Sequence, residues 1–301
     1  MVTPVPGRQG DTEQTRVQHR YHRELFPALH DWERTEASIV EFTGESGPKG
    51  LLGLDQMGHF GPQGCDLVSG LVREALPDAV LTVGELGSGF GGALRYLADA
   101  LTAGGAGVAR MYGIDLVPEH CAVSRRISAA QGRSDVTEIC ADATDVPLPD
   151  GALDVVVVTG SMPHFPHPGA VLREAARLLR PGGLFVATEE VSLAPPGREP
   201  SAAFREVHPP DVFHVTPLPD RLRQLREAGF ADVERRDLRG WAVALLADRL
   251  KVVRLFHGSV ANIYGKEPVE LIRRTLTTAR EEYLAGRLLP SLLTARRAKD
   301  A

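Results

Sequence analysis

The chain has 301 residues, 43% of them hydrophobic and 24% charged, enough for one large core or for a core with a smaller cap. Its 34 basic and 39 acidic residues give a net charge of −5 and are interspersed, which excludes the basic stripe of a duplex-binding surface; no nucleic-acid partner is expected. Three cysteines without a C-x-x-C pair argue against a disulfide framework, and neither an apolar signal core nor a run of roughly 18 apolar residues is present, so a cytoplasmic protein with no membrane partner is expected.

In chain order, the first sixteen residues are rich in proline, glycine and polar side chains and read as a frayed tail. "VQHRYHRELFPALHDWERTEA" predicts one or two helices around Pro27, and "GPKGLLGLDQMGHFGPQG" a glycine-punctuated loop. In "CDLVSGLVREAL" the apolar positions Leu67, Val68, Leu71, Val72, Ala75 and Leu76 form a helical stripe that ends before Pro77. From Ala79 short apolar strands alternate with amphipathic helices through "LFVATEEV", which predicts a doubly wound α/β core with a mostly parallel sheet covered on both faces. A proline-dense segment after "VATEEV" reads as a lid or long loop. A helix, a sixth strand at "ADVERRDL", two further helices and a last strand near "SLLTARR" complete the pattern.

The first strand runs into "ELGSGFGG". Gly87, Gly89 and Gly92 spell the dinucleotide fingerprint G-x-G-x-x-G, whereas Glu85, Gly87, Gly89 and Gly91 spell acid-x-G-x-G-x-G. Both patterns need glycine for a sharp turn and a close ligand, and both end at the unpaired N–H groups of a helix. Glu85 separates them. A carboxylate beside a pyrophosphate would repel it, whereas beside a sulfonium cofactor that also carries an amino group it is tolerable or helpful.

Four segments in this order resemble the class I, Rossmann-like S-adenosylmethionine-dependent methyltransferases of the small-molecule, natural-product type. They are "ELGSGFGG", "YGIDL", "CADATDVPLPDGALDVVVV" and "LLRPGGLFVAT". The resemblance implies a seven-stranded sheet and S-adenosylmethionine as cofactor. Glu85, Gly87, Ser88 and Gly89 would form the first turn. Asp115, with Leu116, would bind the ribose hydroxyls; Asp142, with Ala143, would read the adenine; Thr159 would close the site at the end of strand four. As domains it implies an N-terminal tail and helices over 1–78, a cofactor-binding core over 79–239 with 287–301, and a helical cap over 240–286 above the acceptor pocket.

Methyl transfer from a sulfonium is a one-step displacement that requires alignment, exclusion of water and, for a protonated acceptor, a base. His164, in "TGSMPHFPHPG", falls on a histidine position of the family and is a candidate base or a packing group over the cofactor. Glu189 and Glu190 close strand five, and the period of two sends one of them into the crevice; Glu189 is taken as the second catalytic candidate. His59, Met162, His164, His214, Trp241, Phe256 and Tyr264 are the candidate acceptor wall. No metal is expected, because Thr159 and Gly160 stand where the metal-dependent branch places acids and the His208, Asp211 and His214 spacing matches no closed zinc site. The expected function is methylation of a small organic acceptor at C, N or O in specialised metabolism, with self-association through the N-terminal or cap helices left open. The alternatives are a nicotinamide-dependent oxidoreductase and a non-catalytic methyltransferase-like scaffold that binds a ligand.

Overall fold

Val155, Val156, Val157 and Val158 show how the molecule is layered. All four lie in one strand and are buried, with Val155 and Val157 in one hydrophobic cluster and Val156 and Val158 in another. A strand whose successive side chains point to opposite faces becomes continuously apolar only when both faces are covered. The computed structural model describes residues 13–44, 55–77, 79–105, 107–193 and 199–299, with backbone only at 42, 43, 263 and 264.

The sheet contains β1 (Val80–Leu86), β2 (Gly107–Asp115), β3 (Val136–Cys140), β4 (Leu153–Thr159), β5 (Leu179–Ser192), β6 (Thr216–Pro217), β7 (Phe230–Asp237) and β8 (Leu288–Arg297). Its order is β3-β2-β1-β4-β5-β8-β7, with β6 paired to the end of β5. The pairs β3-β2, β2-β1, β1-β4 and β4-β5 are parallel, while β8 runs antiparallel to both neighbours. The expected α/β class and mostly parallel sheet are found. The two-residue β6, inside the proline-dense segment, makes the strand count eight.

The helices are α1 (Glu13–Leu25), α2 (Pro27–His30), α3 (Trp32–Thr43), α4 (Gly61–Ala75), α5 (Gly92–Ala103), α6 (Pro118–Ala130), α7 (Pro168–Leu178), α8 (Ala202–Val207), α9 (Leu218–Glu227), α10 (Arg239–Leu255), α11 (His257–Tyr264) and α12 (Lys266–Ala285). Several boundaries differ from the sequence expectation. Helix α1 begins inside the stretch read as a tail, because Thr15 and Gln18 find buried positions against the core. The first helical region contains three helices, and α4 starts four residues before Cys65, with Pro62 in its first turn, where a missing N–H costs nothing. The proline-dense segment contains α8, whose Phe204 is fully buried. Three helices, α10 to α12, lie between β7 and β8. The expected tail over residues 1–12, much of the loop before α4 and the stretch 194–198 lie outside the described residues.

Helix α9 is fastened to β5 by charge. The Arg221 guanidinium donates to both Glu189 carboxylate oxygens at 2.9 and 3.0 Å, and each side chain is 1% exposed. Burial pushes the Glu189 carboxyl up, and Arg221 opposes that shift. Replacing one partner strands a buried charge, whereas replacing both with apolar groups removes the problem. Arg221→Met is therefore expected to lower the unfolding free energy in urea by about 3–5 kcal/mol, and Glu189→Leu/Arg221→Met to recover most of it. Equal losses in the single and double variants would show that the pair matters only as packing.

Candidate active site

The glycine turn between β1 and α5 is built by positive backbone angles. Gly87, Gly89 and Gly91 have φ of 73°, 54° and 73°. The space is equally restrictive: a Cβ on Gly87 would come 2.5 Å from the Ser161 Cβ, and one on Gly92 would come 2.5 Å from the Asp55 carbonyl oxygen. Both fingerprint readings of the sequence thus describe one turn, packed under two other loops. The N–H groups of Gly87 and Ser88 donate to the Ile114 carbonyl, and that of Gly89 donates to Asp115 Oδ2 at 2.8 Å.

Asp115 is the hub of the turn. Its Oδ1 accepts from the Val117 N–H at 2.9 Å and lies 3.1 Å from His120 Nδ1. Burial pushes its carboxyl up, but His120 and the two backbone donors outweigh that and hold it below its ordinary value. Asp142 lies at the end of the neighbouring strand and is exposed; its Oδ1 accepts from the Thr144 N–H and hydroxyl, both at 2.8 Å. Glu85 is 1% exposed. One of its oxygens accepts from the Thr159 hydroxyl, while Oε2 is buried without a hydrogen-bond partner. Burial raises the Glu85 carboxyl to about 8.

These groups share one cavity of about 240 Å³ at the carboxyl ends of β1, β2, β4 and β5. Glu85, Gly87, Ser88, Asp115, Leu116, Asp142, Ala143 and Thr159 line it, as do His59 and His164. Gly89 is not on the wall and acts from beneath, through Asp115.

The far end of the cavity departs from the sequence expectation. Glu190, not Glu189, faces it: Glu189 is spent on Arg221. Met162 is 1% exposed in the hydrophobic core beside β4, because the 3-10 turn at Met162–His164 rolls it inward. Trp241 packs edge-on against Phe60, 5.4 Å between ring centroids, and Phe256 is 53% exposed at the end of α10. His214 is absent from the wall; its N–H donates to the Pro163 carbonyl. The Tyr264 side chain lies outside the described residues. The cap reaches the cavity instead through Arg249 on α10 and Ile272, Thr275 and Leu276 on α12, and helix α1 covers it with Gln14, Gln18, Tyr21, His22 and Leu25. The α1 stripe has helical spacing and was legible in principle; nothing local announced what it would cover.

Glu190 anchors a polar cluster that the sequence did not reveal. His59 Nδ1 lies 2.7 Å from Glu190 Oε1, and the Tyr283 hydroxyl donates to the same oxygen at 2.6 Å. His59 Nε2 is 3.2 Å from His208 Nε2, and His208 Nδ1 faces the Phe204 carbonyl at 3.3 Å. That carbonyl assigns His208 Nδ1 as a donor and leaves its Nε2 as the acceptor. His59 Nε2 is then the donor in the contact with His208. Burial pushes Glu190 up, yet the His59 charge and the hydrogen bonds from His59 and Tyr283 bring it below its ordinary value.

His164 has a different character. Its Nδ1 lies 3.1 Å from the Val212 carbonyl, and its ring packs against Tyr21, His22 and Phe213 at centroid distances of 5.9, 5.2 and 5.5 Å. Burial lowers it to about 4, so it is neutral at physiological pH. The loop that carries His59 is held by Arg95, 1% exposed, which donates to Asp55 at 2.9 Å and to the Phe90 carbonyl at 2.6 Å.

Residues 84–187 match the family model described as a methyltransferase domain. Over these residues the chain is similar to methyltransferase domains. Sarcosine/dimethylglycine N-methyltransferase of Halorhodospira halochloris is 31% identical over 170 residues, 55% of this chain and 56% of that protein. The 27-O-demethylrifamycin SV methyltransferase of Amycolatopsis mediterranei is 41% identical over 91 residues, 30% of this chain and 33% of that one. This chain thus spans about half, or less, of the length of these curated relatives. The fold is similar to that of geranyl diphosphate C-methyltransferase from Streptomyces coelicolor A3(2), solved with Mg2+, geranyl-S-thiolodiphosphate and S-adenosyl-L-homocysteine. The TM-score is 0.66 at 14% identity, over 98% of this chain and 100% of that one.

Because the folded-state value of Glu85 lies above its ordinary 4.5, its contribution to stability is full below that value and is lost as pH rises to about 8. Glu85→Gln is expected to flatten this part of the stability profile, measured by urea unfolding of the ligand-free protein across that range. An unchanged slope would show that Glu85 is ionised in the ligand-free fold.

Proposed function

We propose that the protein is an S-adenosylmethionine-dependent methyltransferase acting on a small organic acceptor. The observation that carries this reading is a single cavity that joins the Glu85–Asp115–Asp142 carboxylates of the glycine-turn end to the Glu190–His59 pair at the other. The residues fit the cofactor's chemistry. Glu85 Oε2 is buried without a partner, and a cationic ligand beside it would favour the carboxylate form and satisfy it; no phosphate seat is needed. Asp115 and Asp142 hold ribose and adenine, Gly87 and Ser88 leave room for close approach, and Thr159 fixes Glu85. The cofactor, when bound, supplies an electrophilic methyl group.

The chain's own residues then align the acceptor and manage its proton. Helix α1 and the α12 wall exclude water and leave an apolar compartment. Glu190, kept ionised by His59 and Tyr283, accepts the proton of a hydroxyl or other protonated acceptor. The His59–His208 contact supplies a path along which that proton is shared. His164 is a packing and positioning group: its Nδ1 is spent on the Val212 carbonyl and its ring is enclosed by Tyr21, His22 and Phe213. Natural-product biosynthesis in the cytoplasm is the setting we propose, supported by the rifamycin-modifying relative.

The test is incubation with S-adenosylmethionine and a panel of hydroxyl, amine and activated-carbon acceptors, read by mass as a gain of one methyl with equal formation of the demethylated cofactor. Tight binding of a nicotinamide dinucleotide with no response to S-adenosylmethionine would overturn the assignment. With a turned-over acceptor in hand, Glu190→Gln is expected to lower kcat by roughly a hundredfold or more at nearly unchanged cofactor affinity. His164→Ala is expected to weaken cofactor or acceptor binding with a smaller effect on kcat. The reverse pattern would return the base role to His164.

A further inference from the structure

Away from the cavity, three helices bring two imidazoles and a carboxylate to one point. His19 of α1, His30 of α2 and Glu119 of α6 place one ligand atom each within 4.8 Å of one another. Glu119 lies between the rings: His19 Nε2 contacts Oε2, and His30 Nδ1 lies 2.9 Å from Oε1. The His30 side chain is 3% exposed; its Nδ1 faces only the Glu119 carboxylate, and its Nε2 is buried without a hydrogen-bond partner. Two imidazoles and a carboxylate drawn together at a half-buried point are the donor set that a cation satisfies.

We infer that His19, His30 and Glu119 form a binding site for a divalent transition-metal ion of the zinc class. Neutral imidazole nitrogen and carboxylate oxygen are the ligand types such ions select, and three protein ligands leave one position for water. Zinc holds its ligand atoms at about 2.0–2.2 Å, which places them roughly 3–4 Å from one another, and the three atoms here lie within 4.8 Å of one another. The Arg23 guanidinium lies 3.5 Å from Glu119 Oε1 but is 61% exposed, so it swings into solvent when a cation competes for the carboxylate. The groups behind the site are His120, its ring centroid 5.8 Å from that of His30, and Phe90 at 5.3 Å. His120 is already committed to Asp115.

A metal ion there ties α1 and α2 to α6 without taking part in methyl transfer. The site lies outside the reaction cavity and stands independently of the proposed activity: neither His19, His30 nor Glu119 is on the cavity wall. No sequence spacing announces it, since each ligand comes from a different helix.

The probe is Co2+, whose ligand-field absorption in the visible reports an ordered, low-symmetry site, titrated into the full chain after chelator treatment. One equivalent is expected to saturate the band, and Zn2+ to displace it. Glu119→Gln and His19→Ala alter half-exposed side chains and should leave the fold intact by circular dichroism, and each is expected to weaken Co2+ binding at least tenfold. Arg23→Ala is expected to strengthen it. Zn2+ should raise Tm in the unaltered protein and not in Glu119→Gln. Absence of the band, or the same band in Glu119→Gln and His19→Ala, would overturn the inference and leave an ion-pair clasp with no metal.

Discussion

One carboxylate, that of Asp115, ties the two βα turns of the cofactor end together. It accepts from Gly89 in the first turn and from Val117 in the second, and meets His120 on the helix that follows. The position of the glycine turn relative to β2 is therefore set by hydrogen bonds to a charged group, which are stronger than neutral ones and directional. The rest follows outward. His120 packs against Phe90, His22 and His30, so the helices that cover the cavity rest on the same anchor. A residue read only as a cofactor ligand would leave that second duty out.

The glycine-turn end of the cavity was legible because its chemistry is local. Each of Glu85, Asp115, Asp142 and Thr159 stands at or just beyond the end of an apolar strand, and parallel strands bring those ends to one edge. The Glu190 end was not, because it is assembled from distant segments: His59 before α4, Glu190 on β5, His208 after α8 and Tyr283 on α12. Periodicity showed that Glu189 and Glu190 point opposite ways but could not give the sense. That depends on Arg221 lying on one face and Tyr283 on the other. Trp241 and Phe256 illustrate a related limit, since apolar stripes do not say whether they meet a ligand, a neighbour such as Phe60, or solvent.

The adjacent glutamates also show how burial alone fails to fix a carboxyl's behaviour. Both are fully buried, and burial raises each. For Glu189 it prevails despite Arg221, whereas for Glu190 a histidine and a tyrosine together reverse the direction. The first arrangement fastens a helix; the second keeps a charge where a reactant can reach it.

The position of β8 has a consequence for how the chain is made. It fills the gap between β5 and β7, which do not pair with each other, and it is reached only after the three helices α10 to α12. During synthesis β5 and β7 therefore emerge with open hydrogen-bonding edges, and the sheet cannot be completed until the intervening helices have left the ribosome. Two of those helices, α10 and α12, supply part of the cavity wall, so completion of the sheet and closure of the cavity become one event. A nascent chain halted before β8 would expose two adhesive edges and lack the strand that joins β7 to the rest of the sheet, which makes this interval the one in which chaperone protection matters most.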